Sequence, residues 1–196
     1  TPTPSAGPVP AHATLRADLP PGPTVELPPG ARLAVTGPSG AGKTTLLMTL
    51  AGLIAPPSGS VTLAGTALPG YDDIALRSAI AFFAEDAHIF ATTVRDNLLV
   101  VRGDCTDAEI LGALGAVGLR GWLDALPEGL ATVLTGGAAA VSAGQRRRLL
   151  LARALLSHSA IVLLDEPTEH LDADSADAIL RAVLTPGQLF GTDRTV

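Results

Sequence analysis

The fold of this chain follows from the stretch Gly37-Pro38-Ser39-Gly40-Ala41-Gly42-Lys43-Thr44, which fits the pattern G-x-x-x-x-G-K-[ST]. Glycines let a backbone bend closely around a phosphate group with its N–H groups pointing inward. A helix that begins directly after such a turn adds positive potential at its first residues. The stretch therefore predicts a nucleotide-binding loop. Its candidate contacts are Gly37, Pro38, Ser39, Gly40, Ala41, Gly42, Lys43, Thr44 and Thr45.

The polar side chains at the end of this loop have separate expected roles. Lys43 is the only lysine among the 196 residues, and it lies where the pattern needs an ammonium group for the β- and γ-phosphates. The Thr44 hydroxyl is expected to bind Mg²⁺, and Thr45 to contact the α-phosphate. The alternative is a glycine-rich turn without a ligand. The strand predicted before the loop and the helix predicted after it disfavour that alternative.

Outside the loop, predicted strands alternate with predicted helices. The strands are expected at residues 31–36, 60–64, 80–83 and 160–164, with a short one around 24–27, and the helices at 43–52, 106–117, 142–156 and 173–184. This alternation is typical of an α/β fold, here a P-loop NTPase with a mainly parallel sheet flanked by helices. We expect residues 1–30 to form a proline-rich linker or edge segment, residues 31–85 and 141–196 the P-loop core, and residues 86–140 a helical subdomain.

Two carboxylates follow the last apolar strand of the pattern. Asp165 and Glu166 come directly after Ile161-Val162-Leu163-Leu164. In a parallel sheet the carboxyl ends of the strands line the ligand crevice. Asp165 is then expected to approach Mg²⁺ and Glu166 to polarise an attacking water. By themselves the two acids fit a solvated strand end better, and the phosphate loop reverses that preference.

The amino-acid composition excludes some classes of function. There are 13 basic and 19 acidic residues, a net charge of −6, so no broad basic face is available for nucleic acid. The one basic cluster, Arg146-Arg147-Arg148, is expected to fold along the surface or to pair with acids. A single cysteine, Cys105, excludes an internal disulfide framework. Tyr71 is expected on an exposed turn.

A third motif lies between the loop and the acidic strand end. The stretch Val141-Ser142-Ala143-Gly144-Gln145 resembles the signature of ABC ATPases, usually L-S-G-G-Q. The resemblance covers about residues 31–196 and implies ATP and Mg²⁺ as ligands and a second ABC ATPase domain as partner, with a heterodimer as the expected assembly. It further implies that Ser142, Ala143, Gly144 and Gln145 contact ATP held by that partner.

The resemblance also implies roles for three other positions. Glu85 takes the place of the Q-loop glutamine, where it is expected to bind Mg²⁺ and to join Lys43 and Glu166 in catalysis. Asp172, in the stretch Glu169-His170-Leu171-Asp172, resembles the D-loop residue at the dimer interface. Residues 89–97 look like the exporter-type segment where the ATPase meets its membrane domain.

Together these stretches resemble the ATPase half of the thiol exporter associated with cytochrome bd. This resemblance implies export of a thiol such as cysteine or glutathione. It also implies a transmembrane domain in the same parent chain and a place at the cytoplasmic face of the plasma membrane. The segment by itself is expected to be soluble, and the family's switch histidine is expected beyond Val196.

Several departures from the family pattern keep other functions open. Glu85 replaces a glutamine, Ala143 replaces a glycine, and no aromatic residue precedes Tyr71 to stack on adenine. A degenerate ATP-binding half that only regulates is therefore one alternative. A soluble ABC ATPase acting on DNA and a small-molecule kinase are two others. The negative net charge disfavours the ATPase acting on DNA, and the signature disfavours the kinase.

Overall fold

A computed structural model describes residues 7–10, 12–22 and 24–196 of the chain. They form two compact units. The first contains the described residues up to Phe82 together with residues 158–165 and 183–196. The second contains residues 83–157 and 166–182.

The first unit contains a four-stranded sheet. Its strands are β1 (Leu15–Asp18), β2 (Val25–Leu27), β3 (Ser60–Leu63) and β4 (Thr66–Ala67), in the order β2-β1-β3-β4. All three pairings are antiparallel, whereas the sequence predicted a mainly parallel sheet. Strands β3 and β4 are antiparallel because a two-residue hairpin turn connects them. Its residues Ala64 and Gly65 both have positive φ, as such a turn requires.

Strand β1 was not predicted, because it lies inside the proline-rich beginning of the chain. Residues 12–19 contain no proline, and the strand alternates buried Leu15 and Ala17 with exposed Arg16 and Asp18. That alternation is the ordinary signal of a half-buried strand. Leu15 lies opposite Leu27 on one side and Leu63 on the other, so β1 forms the middle of the apolar face.

Strands β5 (Ile80–Phe83) and β6 (Ile161–Leu164) form a two-stranded sheet and match their predicted positions. The strand predicted at residues 31–36 is wrong. Only its beginning pairs: the Leu33 N–H donates to the Val196 carbonyl at 2.9 Å, and the Val196 N–H donates to the Ala31 carbonyl at 2.9 Å. Among the described residues no backbone partner reaches residues 34–36, and Val35 is therefore 38% exposed.

The apolar core of the first unit lies on the inner face of the four-stranded sheet. Leu15 and Leu63 are fully buried at its centre, and Ile161 of β6 packs into the same cluster. Tyr71 also belongs to this core, so its predicted place on an exposed turn is wrong. Its ring is buried, and its hydroxyl donates to the Leu63 carbonyl at 2.7 Å, which satisfies the polar end of the side chain.

The helices largely match the predicted ones. They are α1 (Lys43–Leu50), α2 (Asp73–Ala79), α3 (Val94–Leu99), α4 (Asp107–Ala116), α5 (Arg120–Asp124), α6 (Ala143–Leu156) and α7 (Ala173–Leu184). Helix α4 begins with a capping box, in which the Thr106 side chain and the Glu109 carboxylate exchange hydrogen bonds with each other's backbone N–H groups. Among the described residues no helix has the length and apolar character needed to cross a membrane.

Arg153 connects α6 to the segment of residues 88–97. It is only 4% exposed, and its guanidinium donates to the Asn97 carbonyl at 2.7 Å, the Asn97 Oδ1 at 2.9 Å and the His88 carbonyl at 2.7 Å. Among the described residues it has no carboxylate partner, and burial lowers its pKa to about 10. Neutral oxygens, together with the Phe90 ring 5.9 Å from the guanidinium carbon, therefore compensate a buried charge.

Substitution of Arg153 by methionine is expected to reduce the free energy of unfolding by about 3 kcal/mol, because it removes three buried charge-assisted hydrogen bonds. Denaturant unfolding of the whole chain measures this change. The matched control is Arg120→Met, since Arg120 makes only an exposed pair with Asp124, 3.0 Å away, worth about 0.5 kcal/mol. Equal losses in the two variants would contradict the structural role of Arg153.

Candidate functional site

The predicted phosphate loop lies in the first unit and is exposed to solvent from Gly37 to Gly42. Gly40 and Gly42 have φ angles of 78° and 89°, a conformation that glycine adopts without strain. A Cβ atom built on either of them would meet no heavy atom within 4 Å, so the space above the loop is open. The loop therefore has both the bend and the room that a bound phosphate requires.

Helix α1 begins at Lys43, directly after the left-handed residue Gly42. No side chain caps this helix start, and the N-terminal end of a helix attracts an anion. The Lys43 ammonium folds back over the loop and donates to the carbonyls of Gly37 at 3.1 Å and Pro38 at 3.3 Å. Thr44 and Thr45 follow it on the exposed part of the helix. These features fit a triphosphate with its Mg²⁺.

The two acidic residues after β6 differ in their surroundings. Asp165 is 5% exposed and belongs to the first unit, as does the phosphate loop. Glu166 belongs to the second unit and has a φ of 47°, which is uncommon for a residue with a Cβ atom. Such a conformation persists only where the surrounding structure holds it, and it is found disproportionately at functional sites.

The signature residues form the beginning of α6 in the second unit. The Ser142 hydroxyl accepts a hydrogen bond from the Gln145 N–H at 3.1 Å, and the Gln145 side-chain oxygen accepts one from the Ser142 N–H at 2.9 Å. Because the hydroxyl accepts in this capping box, its proton can still be donated to an anion. Ala143 is exposed at the start of the helix.

Gly144 packs against the segment that contains the predicted D-loop. A Cβ atom at this position would lie 3.4 Å from a methyl group of Leu171 and 3.5 Å from the His170 carbonyl. The signature and the residues just before Asp172 are therefore neighbours within the second unit. The close approach accounts for glycine at 144, whereas the methyl group of Ala143 is accommodated by solvent exposure.

Glu85 is part of a charged cluster in the second unit. Ligand atoms of Glu85, Glu169 and His170 all lie within 4.8 Å of one another, a spacing that could hold a metal ion. The buried guanidinium of Arg147 lies 3.9 Å from the Glu85 carboxylate and 3.5 Å from that of Glu169. Of the basic cluster, Arg147 thus pairs with acids as predicted, but it is buried instead of lying along the surface.

Asp172 stabilises the start of α7. Its carboxylate accepts a hydrogen bond from the Ser175 N–H at 2.9 Å. The pKa of Asp172 is lowered, first by this backbone bond and then by a bond from the Ser175 side chain. A lowered pKa means that the charged form favours the folded state, so its contribution is present above the usual aspartate pKa of about 3.9 and is lost as the pH falls through the lowered value.

Asp172→Ala is therefore expected to lower the melting temperature at pH 7, because the helix loses its N-terminal cap. The difference from the unsubstituted chain should shrink below about pH 4, where the carboxylate of the unfolded chain binds a proton before that of the folded chain does. Thermal melts between pH 7 and pH 3 measure both effects. Asp172→Asn keeps the acceptor oxygen and is the control. A constant difference between Asp172→Ala and the unsubstituted chain over this range would contradict the carboxylate's role.

Sequence reasoning did not identify the partners of three residues in the second unit. Arg147 was expected only as part of a basic cluster that folds along the surface or pairs with acids, Glu169 only as part of the D-loop-like stretch, and Arg153 was given no role. For Arg153 a signal exists, because a charged residue within an apolar helical run must find polar partners if it is buried. For Arg147 and Glu169 no local pattern predicts the pairing, since the two residues come from different segments.

Comparison with known proteins identifies the family of this chain. The family model described as ABC transporter matches residues 22–169. An ATP-dependent lipid A-core flippase of Desulfotalea psychrophila is 37% identical over 159 residues, which are 81% of this chain and 28% of the flippase. The glutathione/L-cysteine transport system ATP-binding/permease protein CydC of Haemophilus influenzae is 37% identical over 162 residues, 82% of this chain and 28% of that protein. The chain spans about a quarter of the length of these relatives.

Solved structures show the same relationship. A bacterial Atm1-family ABC exporter with ATP bound superimposes with a TM-score of 0.80 at 25% sequence identity, covering 91% of this chain and 34% of the exporter.

The loop, the capped signature and the acidic strand end define a P-loop nucleotide-binding domain of the α/β class, as predicted. The chain belongs to the ABC transporter family. It corresponds to the ATP-binding domain of exporter-type members, and this membership confirms the ATPase class expected from the sequence.

Proposed function

We propose that this domain binds Mg-ATP and hydrolyses it at an interface with a second ABC ATPase domain. The observation that carries the proposal is the phosphate loop. Gly40 and Gly42 bend the backbone with open space above them, and the Lys43 ammonium lies over the loop at the uncapped start of α1. Loop N–H groups, the helix terminus and one ammonium together favour a polyphosphate.

The remaining roles follow from the resemblance together with each residue's position. Thr44 and Asp165 would hold Mg²⁺, and Glu85 is proposed as a further oxygen ligand. When bound, Mg²⁺ neutralises charge on the phosphate oxygens. Glu166 accepts a proton from the attacking water. Ser142 and Gly144, at the start of α6, donate hydrogen bonds to the nucleotide held by the partner domain.

In the parent protein, closure and release of this interface would drive transport across the membrane. The names of the relatives support this, although they differ in substrate: one is a lipid A-core flippase and another a glutathione/L-cysteine transport protein. A relative from Mycolicibacterium thermoresistibile, 39% identical over 157 residues (80% of this chain and 27% of that protein), is named a mycobactin import protein, IrtB. We propose a thiol substrate, on the resemblance to the cytochrome bd-associated exporters.

The nucleotide proposal is tested with the chain itself. Calorimetric titration should detect Mg-ATP binding that is at least about tenfold tighter than Mg-AMP binding, because AMP lacks the phosphates that the loop and Lys43 would bind. The rate of phosphate release per molecule should rise with protein concentration, because the complete site needs two domains. Equal affinities for ATP and AMP would overturn the proposal.

A regulatory half that binds ATP without significant hydrolysis is the second candidate. Two residues favour this candidate. Glu85 adds negative charge near Mg²⁺ ligands, and Ala143 adds a methyl group to the signature. Two results together would favour this candidate. The chain alone would bind ATP but release no phosphate at any protein concentration. A mixture with a partner ATPase domain would release phosphate no faster than the partner does alone.

A further inference from the structure

Arg147 is a buried cation on the first turns of α6, two residues after the signature. Its side chain is 6% exposed. Its Nη1 donates to the Glu85 backbone carbonyl at 3.2 Å, and its Nη2 lies 3.9 Å from the Glu85 carboxylate and 3.5 Å from the Glu169 carboxylate. One guanidinium therefore contacts two distant segments of the second unit. A charge this buried is costly unless opposite charges accompany it, so these pairings decide whether it is tolerated.

The two carboxylates, whose side chains are 46% and 41% exposed, are also stabilised by this cation. Oxygen atoms of Glu85 and Glu169 lie within 4.8 Å of each other and of a His170 nitrogen. Carboxylates at such a distance repel each other unless a positive charge lies between them. The Arg147 guanidinium supplies a positive charge to both carboxylates.

Glu169 belongs to a tight turn that begins at the proposed catalytic residue. The Glu169 N–H donates to the Glu166 carbonyl at 3.1 Å, and Glu166 and His170 have positive φ angles of 47° and 64°. Two residues with a Cβ atom in this conformation within five positions make the turn strained, so contacts from outside must hold it. The ion pair from Arg147 to Glu169 is such a contact.

We propose that Arg147 is a positioning residue that holds Glu85 and the turn of residues 166–170 in one arrangement. By neutralising both carboxylates it allows a glutamate to serve at position 85 and keeps Glu166 oriented. Arg147 itself is not a catalytic residue. The inference rests on the proposed function for the role of Glu166, while the positioning itself can be measured without nucleotide.

Hydrogen exchange of the nucleotide-free chain tests the positioning. Arg147→Gln should speed exchange of the Glu169 and Leu171 amides, whose bonds to the Glu166 and Thr168 carbonyls define the turn, by about tenfold. The matched control is Arg148→Gln. Arg148 is its neighbour on α6 and donates to the Val117 carbonyl at 2.9 Å and the Ser175 hydroxyl at 2.8 Å, so its bonds go to groups other than Glu85 and Glu169. Exchange in Arg147→Gln within twofold of the unsubstituted chain would overturn the proposal.

A second substitution separates charge compensation from simple packing. Glu85→Gln added to Arg147→Gln removes the repulsion of Glu169, so exchange at the turn should return most of the way toward the native rate. A loss of packing alone would leave the double variant as fast as the single one, and that result would also overturn the proposal.

Kinetics connect the positioning to hydrolysis. Arg147→Gln should lower kcat for ATP by about tenfold with a smaller change in the dissociation constant of Mg-ATP, because Lys43 and the phosphate loop keep their contacts. An unchanged kcat would overturn the catalytic part of the inference. The unsubstituted chain mixed with a partner ATPase domain is the reference. If this mixture releases no phosphate, the proposed hydrolysis fails, and so does the proposed effect of Arg147 on it. The exchange rates would still decide whether Arg147 holds the turn.

Discussion

Replacement of Lys43 by alanine is expected to weaken Mg-ATP binding by about a hundredfold. Charge-assisted hydrogen bonds from an ammonium to phosphate oxygens are each worth about 1.5–3 kcal/mol, and Lys43 is the only lysine in the chain. Its ammonium already lies over the loop, bound to the Gly37 and Pro38 carbonyls. Little reorganisation is therefore needed to exchange a carbonyl for a phosphate oxygen. Calorimetric titration with Mg-ATP measures the loss.

The matched control is Arg77→Ala. Arg77 lies on α2 in the same unit and is exposed, so its removal makes the net charge more negative by the same amount without touching the loop. Its effect on Mg-ATP affinity should be less than about twofold, since exposed charges at a distance are screened by salt. Equal weakening in the two variants would mean that net charge governs the affinity, and the assignment of Lys43 as a phosphate ligand would fail.

Replacement of Glu166 by glutamine should lower the rate of ATP hydrolysis by about 10²–10⁴-fold, the usual contribution of a positioned general base. The amide keeps the size of the side chain but cannot take a proton from water. The Mg-ATP affinity should stay within about threefold, because no binding role is proposed for the carboxylate. Phosphate release at saturating ATP, measured together with a titration, separates the two quantities.

Glu128→Gln is the control for this second substitution, because Glu128 is an exposed carboxylate of the second unit outside the proposed site. It should leave the hydrolysis rate unchanged within error. Retention of most of the rate in Glu166→Gln would remove the general-base assignment and favour the regulatory alternative. A parallel loss of Mg-ATP affinity would instead point to a role in binding the nucleotide.

The local motifs of this chain were predictable because each depends on neighbours in sequence. The phosphate loop needs glycines, a lysine and a helix start within eight residues, and all of these occur in order at Gly37–Thr44. The caps of α4 and α6 each need two side chains three positions apart, and both form. Strand β6 is a short apolar run with β-branched residues, which is typical of a buried strand.

Features that depend on partners distant in the sequence were not predictable in the same way. The apolar run at residues 31–36 reads as a buried strand, but a strand exists only where another backbone lies beside it, and only Ala31 and Leu33 have such hydrogen bonds. Tyr71 lies in a turn-rich stretch, yet the carbonyl of Leu63 makes burial of its hydroxyl acceptable. In both cases the deciding contact comes from elsewhere in the fold.

By itself, the sequence determined the class of this protein and its candidate phosphate ligands, because the loop, the signature and the acidic strand end are local patterns of backbone bend, helix start and charge. Only the tertiary structure decided how Glu85 is compensated. It places the Arg147 guanidinium against Glu85 and Glu169, and it encloses Arg153 among the oxygens of Asn97 and His88. The free energy of a buried charge depends on the groups that surround it in space, and here those groups come from segments that are distant in the sequence.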